Sequence, residues 1–119
     1  MKKILVVDDN IFNIRLVEAM MEPHYELITA QNGLEGIEKA REETPDLILM
    51  DVQMPKLNGI ASMKEIRKID RLKDVPIVAY TAVAMKGDKE KLLQDGFDDY
   101  LAKPISISNL VELVNKHIG

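Results

Sequence analysis

Five short apolar runs, separated by longer stretches of helical period, constrain this chain more than any other feature. Ile4-Leu5-Val6-Val7, Leu27-Ile28, Leu47-Ile48-Leu49-Met50, Ile77-Val78-Ala79-Tyr80 and Tyr100-Leu101-Ala102 have the length of strands. The first, third and fourth are apolar at every position, and such strands need cover on both faces. Strands alternating with helices build a parallel sheet between helical layers. The expected fold is therefore α/β, a doubly wound five-stranded parallel sheet with five helices, taken in the strand order 2-1-3-4-5.

The helical stretches carry stripes that read as core: Leu34, Ile37 and Ala40; Met63 and Ile66; Leu92 and Leu93; Leu110, Val111 and Val114. Gly33 and Thr44-Pro45-Asp46 bracket the second helix, Gly96 stands where the fourth needs a left-handed cap, and Ser106 or Ser108 can cap the last. On the first helix, Asn13, Leu16, Val17 and Met20 form the stripe expected to face the sheet. That phase leaves Ile11 and Ile14 outward, a hint of partner docking. His24 and His117 read as surface residues.

A chain of 119 residues that is 46% apolar can bury one core, so residues 1–119 read as a single domain with no output domain. Its 16 basic and 20 acidic side chains leave a net charge of −4, which offers no general attraction to nucleic acid or anionic lipid. The lack of cysteine excludes disulfides, thiolate metal sites and thiol catalysis, and fits the cytoplasm. No apolar run approaches the ~20 residues that span a bilayer, so no membrane insertion is expected.

In open parallel sheets, chemistry gathers where the strands end at their carboxyl edge. The first run here is followed by Asp8-Asp9, the third by Asp51, the fourth by Thr81 and the fifth by Lys103. With strands ~4.8 Å apart, the order 2-1-3-4-5 puts Asp51 on the central strand, flanked by the aspartate pair and by Thr81. Lys103 starts two strands away, within reach of a long side chain.

Carboxylates so close repel. A pair ~6 Å apart at an effective dielectric of ~20 costs about 3 kcal/mol, a large fraction of a small domain's stability. Lys103 offsets part of this and a divalent cation the rest. An all-oxygen donor set without nearby His or Cys suits Mg²⁺, with Mn²⁺ as a substitute. Such a site fits phosphoryl transfer, which needs charge neutralisation and positioning more than covalent machinery. Asp51 is then the nucleophile, Asp8 and Asp9 hold the metal, and Lys103 and Thr81 contact phosphoryl oxygens.

Each of these residues alone has an ordinary explanation: an acidic pair as a turn or cap, Thr81 as a strand end, Lys103-Pro104 as a solvated turn. Their joint order at four of five strand ends outweighs those explanations. A turnover phosphatase of the haloacid-dehalogenase kind would need a second carboxylate two residues beyond Asp51, where Gln53 stands. An FMN carrier would need a Ser/Thr/Gly-rich phosphate loop after the first strand, where acidic residues stand instead. A fold of this kind kept only as a scaffold is the remaining alternative.

The segments Ile4-Leu5-Val6-Val7-Asp8-Asp9-Asn10, Asp46 through Pro55, Asn58-Gly59, Thr81-Ala82 and Tyr100-Leu101-Ala102-Lys103-Pro104 together resemble the receiver domains of two-component response regulators, over essentially the whole chain. Asn10, Asn13 and the stretch from Thr81 to Asp88 are most similar to DivK-type single-domain regulators and receiver modules of hybrid kinases. The resemblance implies a flavodoxin-like fold and a signalling phosphoacceptor, one that assists its own phosphorylation and dephosphorylation and is not a turnover enzyme. It implies phosphorylation of Asp51 by a sensor histidine kinase or histidine phosphotransfer protein, and a downstream protein target. Mg²⁺ would be ligated by Asp9, Asp51 and the Gln53 carbonyl, with Asp8 acting through water. Thr81 and Tyr100 would form the switch, Lys103-Pro104 would be cis, and an apolar Val83 would favour a persistent phosphoform.

Overall fold

The computed structural model describes every residue except 23, 55 and 83–87. Strands β1 (Lys3–Val7), β2 (Glu26–Ala30), β3 (Leu47–Asp51), β4 (Ile77–Thr81) and β5 (Asp99–Ala102) alternate with helices α1 (Ile11–Met21), α2 (Gly33–Glu43), α3 (Gly59–Arg67), α4 (Asp88–Asp95) and α5 (Ile107–Ile118). A short 3-10 turn, Asp70–Leu72, precedes β4. The strands form one parallel sheet, as the apolar runs predict, and their order is the expected β2-β1-β3-β4-β5. No helix among the described residues is long and apolar enough to cross a membrane.

Alternation along each strand divides the core in two. Ile4, Val6, Leu47, Leu49, Val78, Tyr80 and Leu101 pack with α1 and α5. Leu5, Val7, Ile48, Met50, Ile77 and Ala79 pack with α2, α3 and α4. β1, β3 and β4 are thus sealed on both faces, which is why their sequences carry no polar alternation.

Local chemistry sets the helix ends. The side chains of Asn10, Asn32, Asn58 and Ser106 accept N–H groups at the starts of α1, α2, α3 and α5. Gly96, at φ 126°, closes α4 in a conformation open to glycine. Asn58 and Gly59 also bring the loop after β3 close: a β-carbon at Gly59 would overlap the Asp51 carbonyl oxygen, and one at Gly33 the Leu57 carbonyl oxygen. The Ser62 hydroxyl, buried behind this contact, donates to the Gly33 carbonyl at 2.9 Å.

Several side chains depart from the sequence expectation. Ile14, expected outward, is 2% exposed, while Leu16, expected inward, is 41% exposed. The helix turns Ile14, Val17 and Met21 toward the sheet, a 3-4 spacing that competes with the Asn13-Leu16-Val17-Met20 stripe. Ile14 is therefore unavailable for docking. Ile11 does face solvent, beside a more exposed Phe12. Leu34 is exposed because α2 approaches through its small residues Gly33, Gly36 and Ala40, which leaves the leucine at the rim. Leu93 and Val111 are likewise outside the core, next to buried Leu92 and Leu110. His24 is exposed, but half-buried His117 pairs through Nε2 with Asp99 Oδ2 at 3.0 Å.

Candidate functional site

Asp8, Asp51 and Lys103 continue the strand faces that pack against α1 and α5: Asp8 follows Val6, Asp51 follows Leu49 and Lys103 follows Leu101, each by two residues. Thr81 continues the opposite face, following Ala79. The ladder persists past the end of β5, where the Lys103 N–H donates to the Thr81 carbonyl at 2.9 Å. The Lys103–Pro104 bond is cis.

These positions converge as the spacing predicts. Carboxylate oxygens of Asp8, Asp9 and Asp51 lie within 4.8 Å of one another, the three-carboxylate cluster found among the described residues. Asp8 is fully buried and Asp51 is 3% exposed, whereas Asp9 is open to solvent. Lys103 crosses β4 to place Nζ 3.1 Å from Asp8 Oδ2 and 3.2 Å from Asp51 Oδ2. The backbone fixes the other oxygens, with Asn10 N–H donating to Asp8 Oδ1 at 2.9 Å and Gln53 N–H to Asp51 Oδ1 at 3.1 Å.

The balance of charge is incomplete. Burial, and then the neighbouring charge of Asp8, push the Asp51 carboxyl up to about 6 despite the opposing pull of Lys103. Asp8 Oδ2, fully buried and within ion-pair range of Lys103, lacks a well-directed hydrogen bond. A buried carboxylate oxygen so sparsely satisfied is costly. Its place beside two further carboxylates and in an all-oxygen environment fits a hard divalent cation.

Thr81 is buried at the end of β4 and joins Val52, Gln53, Ile60 and Asp88 in lining a cleft beside Asp51. Tyr100, half-buried on β5, packs against the core on the α3–α4 side. Val83 lies outside the described residues. One neighbour escaped the sequence reading: Tyr80, the register partner of Asp51, has its ring centroid 4.4 Å from Lys103 Nζ. Burial, followed by the charges of Asp8 and Asp51, holds its hydroxyl protonated well above the usual tyrosine range. Strand alternation was the signal that would have found it, since Tyr80 shares its face with Leu101 and Lys103.

The family model described as "Response regulator receiver domain" matches residues 4–115. The polar-differentiation response regulator DivK of Brucella anthropi is 41% identical over 119 residues, covering 99% of this chain and 97% of the relative. The receiver domain of the Pseudomonas aeruginosa sensor histidine kinase PA1611, solved with a magnesium ion coordinated in its active-site cleft, superposes with a TM-score of 0.91 at 38% identity, covering 99% of this chain and 98% of that one. A chain of the Saccharomyces cerevisiae co-crystal of the histidine phosphotransfer protein Ypd1 with the receiver domain of its downstream response regulator Ssk1 superposes with a TM-score of 0.89 at 31% identity, covering 98% and 88%. Likeness that runs nearly end to end in sequence and in fold, over the same strand ends that bring the carboxylates together, means that this chain belongs to the response regulator receiver domain family.

Proposed function

We propose that the chain is a phosphoacceptor in a two-component or phosphorelay system, receiving a phosphoryl group on Asp51 from a phosphohistidine of a sensor kinase or phosphotransfer protein. The observation that carries this reading is the convergence of two buried carboxylates, an exposed third and one lysine at the sheet edge, a single cation among three carboxylates. The Pseudomonas and yeast relatives support it, the first by its bound magnesium and the second by its phosphotransfer partner.

An Asp51 carboxyl at about 6 is mostly ionised at neutral pH and able to attack. One of its oxygens forms the O–P bond as the P–N bond to the donor imidazole breaks, and the released ring takes the electron pair. Lys103 Nζ, already at Asp51 Oδ2, balances charge on the incoming group, and the Thr81 hydroxyl donates to another phosphoryl oxygen. Asp8, Asp9, Asp51 and the Gln53 carbonyl are the groups that would hold Mg²⁺. The ion, when bound, supplies the positive charge that lets a phosphoryl anion approach these carboxylates. Movement of Thr81 toward the phosphoryl group, accompanied by Tyr100, would alter the surface read by a downstream protein target. Exposed Ile11 and Phe12, at the start of α1 beside the site, form the apolar patch for the donor protein. The chain assists its own phosphorylation and dephosphorylation and works in the cytoplasm, with no direct role for nucleic acid.

Incubation with acetyl phosphate and Mg²⁺ tests this by intact mass. The gain of one phosphoryl group, labile to hydroxylamine, is the expected result; a folded protein of unchanged mass refutes the reading. A second measurement concerns the metal alone. Mg²⁺ at ~100 times its dissociation constant should raise the unfolding free energy by about 2.7 kcal/mol, with Mn²⁺ acting similarly. In an Asp9→Ala variant most of that increment should vanish, and an equal increment in both proteins would place the ion elsewhere.

A further inference from the structure

Lys103 arises beyond β5 and reaches carboxylates beyond β3 and β1, so its side chain must pass over β4. The β4 residue on that face is Tyr80, paired in register with Asp51 on one side and Leu101 on the other. It is 1% exposed, set among the aliphatic side chains packed against α1 and α5. The ammonium lies 4.4 Å from its ring centroid while touching both carboxylates.

We propose that Tyr80 is a positioning residue for phosphoryl transfer, its ring face holding the Lys103 ammonium against Asp51 and Asp8. This deepens, and rests on, the phosphoacceptor reading of Asp51. The negative face of an aromatic ring attracts a cation, most strongly where water is excluded, and the Lys103 side chain is only 16% exposed. A lysine stem is flexible, so a ring beneath its end narrows the conformations available before the phosphoryl group arrives. Leucine or methionine at this position would fill much of the space without that attraction. Phenylalanine would keep the ring and remove only the hydroxyl.

The test compares wild type, Tyr80→Leu, Tyr80→Phe, Lys103→Met and the Tyr80→Leu/Lys103→Met double variant. The readout is the rate of modification by acetyl phosphate at saturating Mg²⁺. Tyr80→Leu should slow the reaction roughly tenfold, the order expected for a desolvated cation–ring contact. Tyr80→Phe should restore most of that rate. In the Lys103→Met background the leucine change should add little, because the partner through which the ring acts is gone. Independent, multiplying losses, or a phenylalanine variant as slow as the leucine one, would overturn the role.

Proton NMR follows the contact without reference to phosphorylation. The Lys103 ε-methylene protons should be displaced upfield by the ring in wild type and Tyr80→Phe, and return to ordinary positions in Tyr80→Leu. Tyr80→Met serves if the leucine variant does not fold. Undisplaced wild-type protons would refute the contact itself. Displaced protons in a wild-type protein whose mass never changes would refute the phosphoacceptor reading and the role of the ring in it, leaving the contact standing.

Discussion

Replacing Asp51 by Asn is expected to abolish phosphoryl uptake from acetyl phosphate and, in metal-free buffer near neutral pH, to raise the unfolding free energy by up to ~3 kcal/mol. The first effect is absolute because a carboxamide has no anionic oxygen to form the acyl phosphate. The second follows from the cost of ionising this carboxyl. Burial, then the charge of Asp8, push it up to about 6 from an ordinary 3.8, with Lys103 recovering part of the difference.

Well below 3.8 the carboxyl is protonated in both folded and unfolded chains and contributes nothing to the pH dependence. Between 3.8 and about 6 the folded protein retains a proton that the unfolded chain has released, so wild-type stability falls as pH rises through that window. Above it the full penalty persists. Asparagine carries no such penalty, so the variant's advantage should grow across this window and then level off. Adding Mg²⁺ should narrow the gap by stabilising only the wild type strongly. Urea unfolding at several pH values measures it, and coincident curves for the two proteins throughout would contradict the electrostatic account.

Gly59→Ala is the substitution expected to cost most in stability, about 3 kcal/mol or more. The added methyl would overlap the Asp51 carbonyl oxygen and crowd the Val52 backbone, and neither is the movable end of a side chain. Relief would require α3 to shift away from β3, against the Gly59 N–H bond to the Val52 carbonyl at 3.0 Å and the Asn58 cap. Because the displaced backbone is that of Asp51 itself, phosphoryl uptake should fall as well. An urea midpoint within experimental error of wild type would show that the loop yields more easily than its contacts imply.

The strands and the site were legible in the sequence for the same reason. Full burial erases polar alternation from β1, β3 and β4, and the first aspartate or threonine after each run marks the carboxyl edge of the sheet. Helix phase was less legible. α1 is apolar at Ile11, Phe12, Ile14, Leu16, Val17, Met20 and Met21, enough for two competing stripes, and only packing selects the one through Ile14 and Val17. α2 hid its contact face because glycines form it, and hydrophobic periodicity does not register glycine. His117 gave no local sign of its pairing with Asp99, which depends on α5 returning alongside the start of β5. The place of Tyr80 required strand order and face parity together, and its run looked complete as simple core.

The sealing of residue 80 has an evolutionary consequence. Solvent and partner proteins cannot touch this side chain, while Ile11, Phe12 and the outer helical surfaces are open to them. Relatives could therefore retune how quickly the aspartate is charged by exchanging one hidden ring, and separately redraw their exterior to acquire new correspondents. Speed and allegiance would then drift along independent sets of positions.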